Sequence, residues 1–131
     1  MKVFEPLPPE TESLAKTVVD AAFKVHTTLG PGLLESIYEK CLAHELRQRG
    51  VPTETQVVIP IIYEGLQLDG GLRIDLLVDK RVLVEVQAVD QMNRVFKAQI
   101  LTYLKLTQLR LGLLINFNVP LIKNGIERVI L

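Results

Sequence analysis

The chain has 131 residues, 48% of them hydrophobic and only 5% aromatic, long enough for one Leu/Ile/Val core without disulfides or structural metal. Fifteen basic side chains balance fifteen acidic ones, so no whole-protein field draws polyanions and any nucleic-acid contact needs a local patch. A single cysteine, Cys41, and two separated histidines, His26 and His44, exclude an internal disulfide and a thiolate zinc cluster, and suit a reducing compartment.

Met1 to Pro6 lacks an apolar leader, and no apolar run approaches the roughly 20 residues needed to span a bilayer. A cytoplasmic protein with no membrane partner is expected. Pro6, Pro8 and Pro9 keep residues 1–10 extended, and residues 11–131 are expected to form one domain. Leu14, Val18, Ala21, Val25 and Leu29 recur at helical spacing and predict a helix over 11–29, broken by Gly30-Pro31-Gly32. A second helix is predicted over 33–49, with an apolar stripe of Leu34, Ile37, Cys41 and Leu42 and a stop at Gly50.

From Thr55 the pattern becomes that of strands, Gln56 to Tyr63 and then a short stretch through Leu68. Pro60 cannot donate to a ladder and argues for an edge strand or a bulge. Leu72–Val78 and Val82–Ala88 flank the polar Asp79-Lys80-Arg81 as an antiparallel hairpin; both runs are nearly continuously apolar, so they should be central and covered on two faces. Asn93 can cap a third helix to Thr107, followed by strands at 109–116 and 126–131. The order is ααβββ(β)αββ.

Three polar residues interrupt the apolar hairpin strands: Asp75, Glu85 and Gln87. A buried carboxylate costs several kcal/mol unless something compensates it. Glu85 and Gln87 share one strand face, and a hairpin centred on Lys80 sets Asp75 opposite Glu85; a two-residue loop would turn Asp75 to the other face. Paired carboxylates repel, and a hard divalent cation such as Mg²⁺ or Mn²⁺ relieves that while taking carboxylate, carbonyl and water oxygens. Spacing alone leaves the alternative open that Arg73 neutralises Asp75 while Arg81 or Lys80 neutralises Glu85.

Gly32-Leu33-Leu34-Glu35-Ser36-Ile37-Tyr38 spells GxxExxY. It is followed in order by Arg73-Ile74-Asp75-Leu76-Leu77-Val78, Val84-Glu85-Val86, Ala98-Gln99-Ile100-Leu101-Thr102-Tyr103-Leu104-Lys105 and Gly112-Leu113-Leu114-Ile115-Asn116-Phe117. With these five blocks the chain resembles the GxxExxY family, itself similar to the PD-(D/E)xK nucleases, from about residue 14 onward. The resemblance implies an α/β (α+β), restriction-endonuclease-like core, a central mixed sheet flanked by helices. It further implies Asp75 and Glu85 as metal ligands with the Val86 carbonyl as backbone oxygen, and Glu35 as an auxiliary acid from the preceding helix. Gln99 and Tyr103 form a QxxxY pair supporting substrate, with Tyr38 either a substrate contact or a packing residue. Gly32, Glu35 and Tyr38 at i, i+3 and i+6 would share one helix face.

Two positions depart from the pattern. The motif's lysine two residues after the second acid is Gln87, which cannot stabilise developing phosphate charge as a cation does. Phe96 stands where similar proteins carry histidine three residues before the QxxxY glutamine, and Lys97 and Lys105 lie off the Gln99–Tyr103 face. The expected function is a Mg²⁺- or Mn²⁺-dependent nuclease acting on DNA, its chemistry weakened at Gln87. The alternatives are an inactive nuclease-fold module binding nucleic acid or a protein, and a self-associating protein that dimerises through Val129-Ile130-Leu131.

Overall fold

The computed structural model of the chain describes residues 5–131; the expectation about an N-terminal leader falls largely on Met1 to Phe4, which lie outside the described residues. Helix α1 spans Pro9–Leu29, starting before the predicted residue 11. Proline's fixed φ suits a first turn whose N–H groups have no helical partner, and Glu10 and Glu12 set negative charge at the positive end of the helix. Gly30, at φ +74, ends α1 in a backbone conformation open to glycine, its N–H donating to the His26 carbonyl at 2.7 Å.

Helix α2 spans Glu35–Gln48 rather than 33–49 and buries Tyr38, Leu42, Ala43 and Leu46. The predicted stripe is rotated. Leu34 precedes the helix in extended backbone and is 73% exposed, and Ile37 is 40% exposed, because the Tyr38 ring rather than Ile37 turns into the core. Gly32 lies outside the helix, so the expected face of Gly32, Glu35 and Tyr38 does not form.

The strands are β1 Thr53–Tyr63, β2 Leu66–Val78, β3 Val82–Gln87, β4 Leu111–Asn116 and β5 Ile126–Ile130, with helix α3 at Arg94–Thr107 and a 3-10 turn at Ile122–Gly125 before β5. The short stretch through Leu68 is continuous with β2. The sheet order is β1-β2-β3-β4-β5, antiparallel except for the β3–β4 pair, which is parallel. That one parallel pair requires a crossover, and α3 supplies it. The result is a mixed sheet with flanking helices, the α+β architecture that the resemblance implies. Both readings of Pro60 are realised: β1 is an edge strand, and its register with β2 shifts between Ile59 and Ile61. β5 forms the opposite edge.

Two cores sandwich the sheet. One joins α1 and α2 to Leu76, Val78, Val82, Val84, Val86 and neighbours on β4. The other joins Ile100 and Leu104 of α3 to Leu72, Ile74, Leu83, Leu114 and Val129. The β3–β4 pairing, from Val82–Leu111 to Gln87–Asn116, thus leaves both strands buried over nearly their full lengths, as their unbroken apolar runs require. No helix of the described residues is long and apolar enough to cross a membrane.

Candidate active site

The hairpin between β2 and β3 pairs Val78 with Val82, Leu77 with Leu83 and Leu76 with Val84, which selects the register centred on Lys80 over the two-residue loop. Asp79 and Lys80 take positive φ to close the three-residue turn. The ladder stops there. Beyond Leu76 and Val84 the strands fork, β2 staying with β1 and β3 staying with β4. Asp75 and Glu85 are the first residues past the fork.

The facing of β2 also changes at this point. Strict alternation would send Ile74 and Leu76 to one side, yet Ile74 packs in the α3 core and Leu76 in the α1/α2 core. The residue between them therefore sits where the strand twists over. Its carboxylate points into the fork, with Oδ2 accepting the Val86 N–H at 3.0 Å. A side chain thus satisfies a main-chain donor that the parted strands leave free.

Glu85 is buried, 8% exposed, and its Oε1 is the buried side-chain oxygen without a hydrogen-bond partner among the described residues. Burial, then a hydrogen bond to Asp75, then the Asp75 charge push its carboxyl up to about 9. Near neutral pH, Glu85 therefore holds a proton. Neutralisation by cationic side chains does not occur. Arg81 reaches Glu10 instead, at 4.0 Å, and no ion pair among the described residues involves Asp75, Glu85 or Arg73.

The other expected residues fall on either side of the fork. Glu35, exposed at the first position of α2, accepts the Ala88 N–H at 3.4 Å just past the end of β3. Gln87, half-buried, is the last residue of β3, its carbonyl accepting the Phe117 N–H at 2.9 Å. On α3, which Asn93 caps by accepting the Val95 N–H at 3.0 Å, Gln99 Nε2 donates to the Tyr103 hydroxyl at 2.6 Å. Tyr103 is half-buried; burial first, and the Glu85 carboxylate second, push its phenol pKa up. The QxxxY pair therefore borders the carboxylates.

Tyr38 is elsewhere. It is fully buried, stacked on Phe117 with ring centroids 4.6 Å apart, its O–H donating to the Gly30 carbonyl at 2.6 Å while accepting the Leu33 N–H at 3.0 Å. Of its two readings, substrate contact and packing, this placement is packing: the tyrosine ties the Gly30–Leu33 loop to the sheet. Lys97 pairs with Glu127 of β5 at 3.4 Å, and Phe96 packs into the α3 core. Neither supplies the charge that Gln87 lacks.

Two residues join the site without an expectation from sequence. Gln56 of β1 donates from Nε2 to Glu39 Oε1 of α2 at 2.6 Å and lies 3.4 Å from Asp75 Oδ1. Burial is the main cause of a raised Glu39 pKa, with the Gln56 hydrogen bond opposing it. Glu39 sits one turn after Glu35, a spacing legible in the sequence; its meeting with Gln56 required the tertiary fold.

The donors are suited to a hard cation. No three His, Cys, Asp or Glu side chains converge on one point among the described residues, but Mg²⁺ is commonly held by one or two carboxylates, with waters and substrate oxygens completing its shell. The orphaned Glu85 Oε1 beside the Asp75 carboxylate meets that requirement.

A sequence model of the PD-(D/E)XK nuclease superfamily matches residues 12–129. No curated protein and no solved structure matches the chain.

Proposed function

Because the chain belongs to the PD-(D/E)XK nuclease superfamily, we propose that it is a divalent-metal-dependent nuclease that hydrolyses phosphodiester bonds in DNA, within the GxxExxY branch of that superfamily. The observation that carries the reading is the Asp75–Glu85 pair at the strand fork, with one buried glutamate oxygen unpartnered and a carboxyl pushed up to about 9. Such a pair is costly to keep in an apolar sheet. A cation drawn to it offsets that cost.

Asp75, Glu85 and the Val86 carbonyl would hold Mg²⁺ or Mn²⁺, which when bound lowers the pKa of a water and offsets charge on a phosphate. Glu35, whose carboxylate accepts the Ala88 N–H, would act as the auxiliary acid that takes a proton from water. Gln99 and Tyr103 form a hydrogen-bonded polar edge on α3 that can donate to substrate oxygens. Gln87 orients water or phosphate through its amide but adds no positive charge, so turnover is slow relative to a lysine-bearing site. One lost charge-stabilising donor costs about 3–4 kcal/mol of transition-state stabilisation.

A second reading is favoured by one observation: Lys97 is committed to Glu127, leaving Gln87 without a substitute cation from that helix turn. In this reading the fold binds nucleic acid or a protein without cutting. Cleavage of single- and double-stranded DNA with Mg²⁺ or Mn²⁺ separates the two, with Asp75→Ala and Gln87→Lys alongside. Metal-dependent cutting lost in Asp75→Ala supports the enzyme. Cutting seen only in Gln87→Lys supports the binding module, and silence from every form rejects the nuclease reading.

A further inference from the structure

Gln56 holds φ +52, a left-handed backbone conformation that costs a non-glycine residue on the order of 1–2 kcal/mol. The strained residue lies between the pairs Thr55–Leu76 and Val57–Ile74 of the β1–β2 ladder, directly across from Asp75. Strain of this kind persists where the surroundings over-determine it. Here the side chain supplies the reason: Nε2 is 2.6 Å from Glu39 Oε1 and 3.4 Å from Asp75 Oδ1.

Both neighbours are carboxylates, acceptors only when ionised, so the amide's NH₂ end faces them with one hydrogen for each. With Oδ2 taken by the Val86 N–H at 3.0 Å, Asp75 is held at both oxygens, one from each flanking strand. A lysine in Gln56's place would cancel the charge that attracts a cation, and a glutamate would repel the carboxylates. A neutral two-donor amide does neither.

The geometry points to Gln56 as a positioning residue of the site: anchored on Glu39, it fixes the orientation of the Asp75 carboxylate at the strand fork. Its functional meaning rests on the nuclease reading of Asp75 as an ion ligand, whereas the clasp itself is a property of the metal-free chain.

The test uses the full chain with Gln56→Asn and Gln56→Gly. Both substitutions suit left-handed backbone, asparagine with an amide one methylene too short and glycine with none, so folding is preserved while the clasp is lost. Two readouts are taken, hydrogen exchange of the Val86 amide and affinity for Mn²⁺ alone. Faster Val86 exchange and weaker Mn²⁺ binding, each by about tenfold, are expected in both variants, the factor for one lost hydrogen bond to a charged group. Unchanged Val86 exchange in both variants overturns the proposal, as does unchanged Mn²⁺ affinity beside a released amide. Faster exchange in a protein that binds no Mn²⁺ even as wild type supports the clasp and sinks the nuclease reading instead.

Discussion

The Val86 N–H donates to Asp75 Oδ2 at 3.0 Å, so a side chain of β2 continues the hydrogen bonding of β3 where the two strands part. This one contact joins the fork to the site. It brings the Asp75 carboxylate beside buried Glu85 and fixes the stability, pH response and ion binding expected of the chain.

Glu85 dictates how stability changes with pH. Its carboxyl titrates at about 9 in the folded chain, against 4.5 for the ordinary side chain. Between those values the folded state holds a proton that the unfolded state releases, so this stabilisation is complete below about 4.5 and is lost as pH rises through about 9. Urea midpoints of the metal-free protein should fall from about pH 5 to about pH 9, and Glu85→Gln should flatten the slope. An equally steep slope in that variant would place the titrating group elsewhere.

Divalent cations should act in the opposite sense. A bound Mg²⁺ or Mn²⁺ requires Glu85 ionised, so binding releases a proton and strengthens as pH rises. At about 100 times Kd the ion adds about 2.7 kcal/mol of stability. Melting temperature with and without Mn²⁺ should diverge more at about pH 9 than at about pH 6, and Asp75→Ala should abolish the difference at both. A gain that persists in Asp75→Ala would mean that the ion binds at another place.

Tyr38→Phe separates packing from substrate contact. The variant keeps the ring stacked on Phe117 but loses the hydroxyl bonded to the Gly30 carbonyl and the Leu33 N–H, which should destabilise the fold by about 1–3 kcal/mol. Any DNA cleavage per folded molecule should be unchanged. A stable Tyr38→Phe protein with impaired cleavage would return this residue to the substrate site.

Gly112 seats α3 on β4. A Cβ there would come within 2.5 Å of Ile100 Cγ2, so Gly112→Ala should cost about 1–3 kcal/mol by overpacking. Displacing Ile100 also moves the adjacent Gln99 and, one turn on, Tyr103. Denaturation midpoints measure the first effect. The Tyr103 ring resonances in NMR measure the second, and unshifted resonances would show that α3 absorbs the strain locally.

The sequence by itself determined the element types, a hairpin across Asp79-Lys80-Arg81, and Asp75 and Glu85 as polar intrusions in buried strands, while the choice between a turn centred on Lys80 and a two-residue loop came from the structure. These follow from short-range rules: helical and strand periodicity, the helix signal of Asn93, and the cost of a carboxylate in an apolar run. It mis-set the buried face of α2, where Tyr38 displaces Leu34 and Ile37, because one large ring seated against Phe117 outweighs a regular aliphatic stripe.

What only the tertiary structure decided is how distant segments meet. The fork after Leu76 and Val84, the change of facing at Asp75, and the Glu39–Gln56–Asp75 contacts join residues that no local spacing relates. Gln56 in sequence is an ordinary polar residue at the start of a strand. Its left-handed backbone is affordable only because two carboxylates from different elements converge on its amide, and that convergence exists once the sheet and α2 have packed.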